Sequence, residues 1–273
     1  MDQYAVFGNP IAHSKSPFIH KMFAEQTGQS LHYAAILSPL DGFAESVSTF
    51  IASGGRGANV TVPFKEQAFK LVEQLSPAAR QAGAVNTLIY QDGKLLGDNT
   101  DGIGLVKDLL FHGVVLQGKK ILIIGAGGAT RGVVLPILEQ TPASLHIANR
   151  TAEKALSLAK HVPSFARVTG SGLNDIPDTS FDLIINASSA SLSGDSPNID
   201  AAYMVNKPVC YDMVYSKEDT AFNLWCQQQG ASMTLDGLGM LVEQAAQSFY
   251  LWRGIMPDTQ PVRQALRMSL SQA

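Results

Sequence analysis

The chain has 273 residues, 45% hydrophobic and 16% charged, which suffices for one large core or two smaller ones. A net charge of −3 leaves no basic footprint for nucleic acid or for an anionic membrane surface. Two cysteines, Cys210 and Cys226, are too few for a disulfide scaffold or a zinc site and suit a reducing, cytoplasmic setting.

In chain order, Tyr4–Phe7 reads as a strand, Pro17–Gln26 as a helix and Leu31–Leu37 as a strand. A helix over Asp41–Ala52, a strand over Gly57–Val62 and a helix over Lys65–Gln74 follow. Ala84–Tyr90 and Lys94–Gly97 flank Gln91-Asp92-Gly93, whose Asp-Gly pair signals a tight hairpin turn. A helix over Asp101–Phe111 leads into a second region. There, strands over Ile121–Ile124, Leu145–Ala148, Ala166–Val168, Leu183–Asn186 and Val209–Asp212 alternate with helices over Ala129–Gln140, Ala152–His161 and Thr220–Gln229. Short apolar strands alternating with helices imply a parallel sheet covered on both faces. Helices over Leu238–Trp252 and near Gln260–Leu270 end the chain. The longest apolar run, near Ile121–Ile124, is broken by Gly125, so no segment has the length of a membrane span. The first fourteen residues lack the basic start and long apolar stretch of a signal peptide.

Chemistry enters at the run Lys119-Lys120-Ile121-Leu122-Ile123-Ile124-Gly125-Ala126-Gly127-Gly128-Ala129-Thr130-Arg131-Gly132. A buried strand, a glycine turn and a helix form a cradle in which backbone N–H groups approach a pyrophosphate closely. Gly125, Ala126, Gly127, Gly128 and Ala129 are its candidate contacts, and Thr130 stands where a third glycine is usual. The next strand ends at Asn149-Arg150-Thr151, with no acid to hold a ribose diol. Arg150 offers a fork for a 2′-phosphate, and Asn149, Thr151 and Lys154 add donors, which points to NADP. Alternatively Arg150 is a solvated loop residue and Thr151 a helix cap. Ala187 and Ser188, in Asn186-Ala187-Ser188-Ser189, end another strand facing the same crevice.

Polar clusters before residue 102 are the second signal. His13-Ser14-Lys15-Ser16-Pro17 precedes a helix, where hydroxyls and unpaired N–H groups can hold a carboxylate, although Ser16 before Pro17 is also a good cap. His13 itself reads as structural. Asn59 and Thr61 alternate with Val60 and Val62 on one strand face, with Lys65 beyond. For Asn59 and for Asn86, a structural hydrogen bond and a ligand contact are both open. Lys65 alone would be a solvated lysine, Asp101 a helix cap, and Gln244 a residue at the edge of a buried helix face.

The runs Asn59-Val60-Thr61-Val62-Pro63-Phe64-Lys65, Gly83-Ala84-Val85-Asn86-Thr87 and Asp98-Asn99-Thr100-Asp101-Gly102 resemble motifs of the shikimate dehydrogenases. So do the serine cluster, the glycine turn, Asn149-Arg150-Thr151, Tyr211-Asp212-Met213-Val214-Tyr215 and Asp236-Gly237-Leu238-Gly239-Met240-Leu241. The resemblance covers nearly the whole chain. It implies an α/β protein of two domains with a cleft between them. Residues 1–101 would form the substrate domain, residues 102–236 a Rossmann-type NADP domain, and residues 237–273 helices packing back on the first. It implies reversible NADPH-dependent reduction of 3-dehydroshikimate to shikimate, on the route to chorismate and the aromatic amino acids. Lys65 would be the general acid–base and Asp101 its partner and a hydroxyl ligand, because a proton must reach or leave the reacting oxygen as hydride moves. Ser14, Ser16, Asn59, Thr61, Asn86, Gln244 and Tyr215 would complete the substrate site, with Met213 and Gly237 against the nicotinamide. No metal is required, and the expected partner is a small molecule rather than nucleic acid or membrane, for a monomer or a homodimer. The rivals are an NAD-preferring quinate/shikimate dehydrogenase, disfavoured by Asn149-Arg150-Thr151, and a non-enzymatic shikimate-binding regulator, disfavoured by Lys65 and Asp101.

Overall fold

A computed structural model describes residues 1–162, 167–177, 180–188 and 190–272. The chain divides into two compact units, one formed by Met1–Gly104 with Leu241–Ser269 and the other by Leu105–Met240 with the last residues from Leu270 onward.

In the first unit β1 (Asp2–Gly8), β2 (Leu31–Leu37) and β3 (Gly55–Val60) run parallel, joined by α1 (Ser16–Thr27) and α2 (Phe43–Ala52). Next come α3 (Lys65–Leu71), β4 (Gln74–Leu75) and α4 (Pro77–Ala82). Then β5 (Thr87–Gln91) pairs antiparallel with both β3 and β6 (Lys94–Asp98), giving the order β2-β1-β3-β5-β6-β4. The hairpin turn has positive φ at Asp92 and Gly93, as the Asp-Gly signal requires.

This order decides where the polar clusters go. Since β5 is antiparallel to both neighbours, β3 and β6 point the same way, and β5 starts where they end. Asn59 is paired with Thr87, and Thr87 with Asp98, so three separate clusters meet at one end of the sheet's central strands. β1 ends there too, with Val6 beside Asn59. Several expected boundaries shift: the strand expected from Ala84 starts at Thr87, and the one expected to run to Val62 stops early. The latter ends at Val60, leaving Thr61 just beyond it, and α3 stops at Leu71 because Val72 turns extended and Gln74–Leu75 join β6.

The second unit is a wholly parallel sheet of order β12-β11-β10-β7-β8-β9, built from β7 (Lys120–Ile124), β8 (Ser144–Asn149), β9 (Val168–Gly172), β10 (Leu183–Asn186), β11 (Val209–Asp212) and β12 (Met233–Asp236). Alternate residues bury opposite faces. Ile121, Ile123, Leu145, Ile147, Leu183 and Ile185 join one core cluster, and Leu122, Ile124, Ile184 and Cys210 join the other. Each such side chain contributes about 1.5–3 kcal/mol on burial. Helices α5 (Asp101–Phe111), α6 (Gly128–Leu138), α7 (Ala152–Lys160) and α8 (Ala221–Gln228) accompany the strands. The third strand of this region is Val168–Gly172 rather than Ala166–Val168, and Ala166 lies outside the described residues. The edge strand β12 was not anticipated from the sequence. Helices α9 (Leu238–Arg253) and α10 (Gln260–Gln272) follow. Among the described residues no helix is long and apolar enough to cross a membrane.

Candidate active site

In the second unit, the sheet runs outward from β7 in both directions, so the crevice between the carboxyl ends of β7 and β10 is a topological switch point. A cavity of about 710 Å³ opens there. Gly125, Ala126, Gly127, Gly128 and Ala129 line it after β7, Asn149, Arg150, Thr151 and Lys154 after β8, and Ala187 and Ser188 after β10. Ser189 lies outside the described residues.

The glycines have different physical reasons. Gly125 has φ +110° and lies so close to the next loop that a Cβ would sit 3.0 Å from the Ala187 carbonyl carbon. A Cβ on Gly127 or Gly128 would meet nothing within 4 Å outside its own stretch of chain, so packing demands glycine at neither position and the space beside them, which the cavity occupies, is open. The N-terminus of α6 begins at Gly128, with backbone N–H groups available to a pyrophosphate. The cradle therefore fits a dinucleotide.

Asn149 braces this cradle. Its Oδ1 accepts from the Ala126 N–H at 3.2 Å and its Nδ2 donates to the Thr151 carbonyl at 2.9 Å, tying the glycine turn to the Arg150 loop. Thr151 stands at the cap position of α7, yet its side chain makes no capping hydrogen bond. Arg150 is exposed at the cavity mouth. Asp195, Ser196, Pro197 and Asn198 also line the cavity. Nothing in the sequence singled them out, because they lie in an irregular segment with no periodicity.

Met213 and Gly237 do not line that cavity, but they pack against each other. A Cβ on Gly237 would fall 2.1 Å from the Met213 carbonyl oxygen, so only glycine permits this approach. The loop is pinned by Asp212, a buried carboxylate that accepts from Asn186 Nδ2, Ser191 Oγ, Thr220 Oγ1 and the Val214 N–H. Tyr215, in the same unit, is half-buried, and burial together with the Asp236 charge raises its pKa.

The first unit holds the acid–base candidates. Lys65 Nζ lies 2.6 Å from Asp101 Oδ2, with the side chains 32% and 15% exposed. Lys65 opens α3 and Asp101 opens α5, so the ends of β3 and β6 deliver both to the same end of the sheet. Asn86 Nδ2 donates to Asp101 Oδ1 at 2.8 Å and to Thr100 Oγ1 at 3.0 Å, and lies 3.4 Å from Gln244 Oε1. Asn86 Oδ1 accepts from the Thr100 N–H at 2.9 Å and from Thr87 Oγ1 at 2.8 Å. Ser248, one helical turn after Gln244 on α9, lies 2.8 Å from Thr87 Oγ1. Thr87, Thr100 and Ser248 were not singled out in the sequence, since isolated hydroxyls carry no spacing signal.

Asn59 sits behind this group with its capacity filled. Its Oδ1 accepts from Tyr33 OH at 2.7 Å and from His20 Nε2 at 3.2 Å, while its Nδ2 donates to Ser248 Oγ at 2.9 Å and to the Asn86 carbonyl at 3.2 Å. Of the two readings open for Asn59, the geometry supports the structural one. The backbone carbonyl of Asn86 can only accept, which fixes the Asn59 amide and makes His20 Nε2 the donor. Burial pushes the His20 pKa down to about 3. Ser16, the first residue of α1 rather than its cap, neighbours Tyr33, and Ser14 Oγ accepts from the Ser16 N–H at 3.3 Å. Thr61 follows β3, its N–H donating to the Phe7 carbonyl at 2.9 Å. Thus Ser14, Ser16, Asn59, Thr61, Lys65, Asn86, Asp101 and Gln244 belong to the first unit, and Tyr215 to the second.

Residues 6–88 match the shikimate dehydrogenase substrate binding domain, residues 109–194 the shikimate/quinate 5-dehydrogenase model and residues 237–267 the shikimate 5′-dehydrogenase C-terminal domain. The shikimate dehydrogenase (NADP(+)) of Hahella chejuensis is 56% identical over 268 residues, covering 98% of this chain and 99% of that one. The chain belongs to the shikimate dehydrogenase family. Among solved structures, an Ael1 enzyme from Pseudomonas putida superposes with a TM-score of 0.94 at 43% identity, covering 97% of this chain and 98% of that one. The shikimate 5-dehydrogenase of Thermus thermophilus, solved with NADP(H) and shikimate, superposes with a TM-score of 0.88 at 33% identity, over 99% of this chain and 100% of that one.

Proposed function

We infer that this chain is an NADP-dependent shikimate dehydrogenase that reversibly reduces 3-dehydroshikimate to shikimate. The observation that carries the reading is the Lys65–Asp101 contact at 2.6 Å, in a chain that also holds the glycine cradle and Arg150. When bound, the nicotinamide cofactor supplies or takes the hydride at the substrate's ring carbon.

This chain's residues manage the rest. In the reducing direction, Lys65 Nζ gives a proton to the carbonyl oxygen as it becomes a hydroxyl; in the oxidising direction Lys65 takes it back. Asp101 holds the ammonium through Oδ2 and leaves its other oxygen on Asn86. Asn86 shares one amide hydrogen between Thr100 Oγ1 and Gln244 Oε1, the hydrogen for which a ring hydroxyl would compete. Ser14 and Ser16 hold the substrate carboxylate, with Thr61, Gln244 and Tyr215 as further hydroxyl contacts. Asn59 supports the site from behind. Arg150, Thr151 and Lys154 hold the 2′-phosphate, Gly125 to Ala129 the pyrophosphate, Ala187 and Ser188 the cavity wall after β10, and Met213 and Gly237 the nicotinamide end. Residues 1–101 with 237–273 supply the substrate domain and residues 102–236 the NADP domain. A cytoplasmic location fits the two buried, unbridged cysteines.

The test is Lys65→Ala. We expect turnover to fall by roughly 10²–10⁴-fold with the fold intact by circular dichroism, the usual loss for an acid–base group. Near-normal turnover would remove Lys65 from the mechanism.

A further inference from the structure

Asp101 has to present one oxygen to Lys65 while the other stays occupied, so its rotation matters as much as its position. That rotation is set by the Asn86 amide. Two of its partners have fixed roles: the Thr100 N–H can only donate and the Asp101 carboxylate only accept, so Oδ1 faces inward and Nδ2 faces Asp101. What stops the amide from sliding or tilting within that orientation is the group behind it. Thr87 Oγ1 donates to Asn86 Oδ1 at 2.8 Å, Ser248 Oγ lies 2.8 Å from Thr87 Oγ1, and Asn59 Nδ2 donates to Ser248 Oγ at 2.9 Å. Each link is buried: Thr87 and Ser248 are fully enclosed, and Asn59 is 6% exposed. Asn59 is itself clamped by Tyr33 and by His20, whose ring stacks on Tyr33 at 4.3 Å between centroids.

We propose that Ser248 and Thr87 are positioning residues for the reaction, bracing Asn86 from helix α9 and through it holding Asp101 against Lys65. The proposal rests on Lys65 and Asp101 being the acid–base pair. Ser248 lies 161 residues from Thr87 in sequence, so helix α9 reaches the reacting pair by three hydrogen bonds, Ser248 to Thr87 to Asn86 to Asp101, with the Ser248 proton also within reach of the Gln244 carbonyl one turn back, at 3.1 Å. An exchange of hydroxyl for methyl at Thr87 removes the shortest hydrogen bond to Asn86 Oδ1 and leaves only those from Thr100, inside a buried network where such a loss is felt most. The amide then tilts toward its remaining donor, Thr100, and draws Nδ2 away from Asp101.

The experiment compares Thr87→Val, Thr87→Ser, Ser248→Ala and Lys65→Ala, with Thr87→Val also made in the Asn86→Ala background. Ser248→Ala keeps helix propensity and nearly the same volume, so it preserves a folded variant if Thr87→Val does not fold. We expect Thr87→Val and Ser248→Ala to lower kcat about tenfold while the KM for NADPH stays within about twofold, the size of one buried hydrogen bond. Thr87→Ser restores kcat, and Thr87→Val adds nothing once Asn86 is alanine. Loss of thermal stability with unchanged kcat in both hydroxyl variants would overturn the proposal, as would full additivity with Asn86→Ala. If Lys65→Ala is crippled while the hydroxyl variants are silent, only the bracing fails. If Lys65→Ala turns over normally, the acid–base reading fails and takes the bracing with it.

Discussion

Arg150→Ala tests the cofactor assignment at its most exposed point. Arg150 shares the mouth of the 710 Å³ cavity with Thr151 and Lys154, while Asn149 is already occupied by Ala126 and Thr151. A hydrogen bond to a charged group contributes about 1.5–3 kcal/mol, and the exposure of Arg150 puts its share near the lower end. Lys154 remains in the variant, so the loss is partial. At about 1.4 kcal/mol for each factor of ten, the KM for NADPH rises about 10–30-fold. NADH has no 2′-phosphate, so its KM changes by less than about twofold, and the preference for NADPH shrinks by the full factor. Initial rates at 340 nm with each cofactor, at fixed saturating dehydroshikimate, give both values. Equal rises for NADPH and NADH would refute the phosphate assignment and return Arg150 to the solvated loop residue it could have been.

The buried histidine makes a prediction about stability. Its folded pKa near 3 lies below the unfolded value of about 6.5, so the unfolded chain binds the proton more readily. Above about pH 6.5 this costs nothing, and between there and pH 3 stability falls with falling pH, by about 2 kcal/mol between pH 7 and pH 5 from this group. Urea unfolding of the wild type and of His20→Phe at both pH values measures the difference. An equal loss in both proteins would remove His20 from the acid sensitivity. The Lys65→Ala variant should also keep its KM for NADPH, since Lys65 belongs to the first unit and every residue proposed to hold the cofactor to the second.

Much of the fold was legible because strong local signals and tertiary context agree. The glycine turn followed a continuous apolar strand, Asp92-Gly93 forced the hairpin, and the long periodic helices α5 and α9 kept their expected starts at Asp101 and Leu238. Where sequence reading stopped short, the element was short or at an edge. β4 has two residues and β12 has four, and each pairs with one neighbour only, so neither needs a recognisable apolar run. For α4 the signal was present in Ser76-Pro77: Ser76 Oγ accepts from the Ala79 N–H at 3.1 Å, a capped first turn with proline inside it.

The candidate site was legible in its charged and glycine residues, and less so in its hydroxyls. Lys65, Asp101 and Asn86 stood in recognisable runs, and the antiparallel placement of β5 explains why they meet. Thr87 adjoins one of those runs, and Ser248 lies on a helix whose buried face is ordinary. Only the fold brings them together. Asn59 shows the opposite effect: its polarity in a strand drew attention to it, and the structure uses that polarity internally.

The most direct measurement crosses two substrates with two cofactors in one absorbance assay of the wild-type protein. Shikimate and quinate are each oxidised with NADP and with NAD, and kcat/KM is compared across the four combinations. For an NADP-dependent shikimate dehydrogenase, shikimate with NADP exceeds every other combination, and exceeds shikimate with NAD by at least about tenfold, the scale set by one charged contact to the 2′-phosphate. Equal or greater efficiency with NAD, or with quinate, would contradict that assignment.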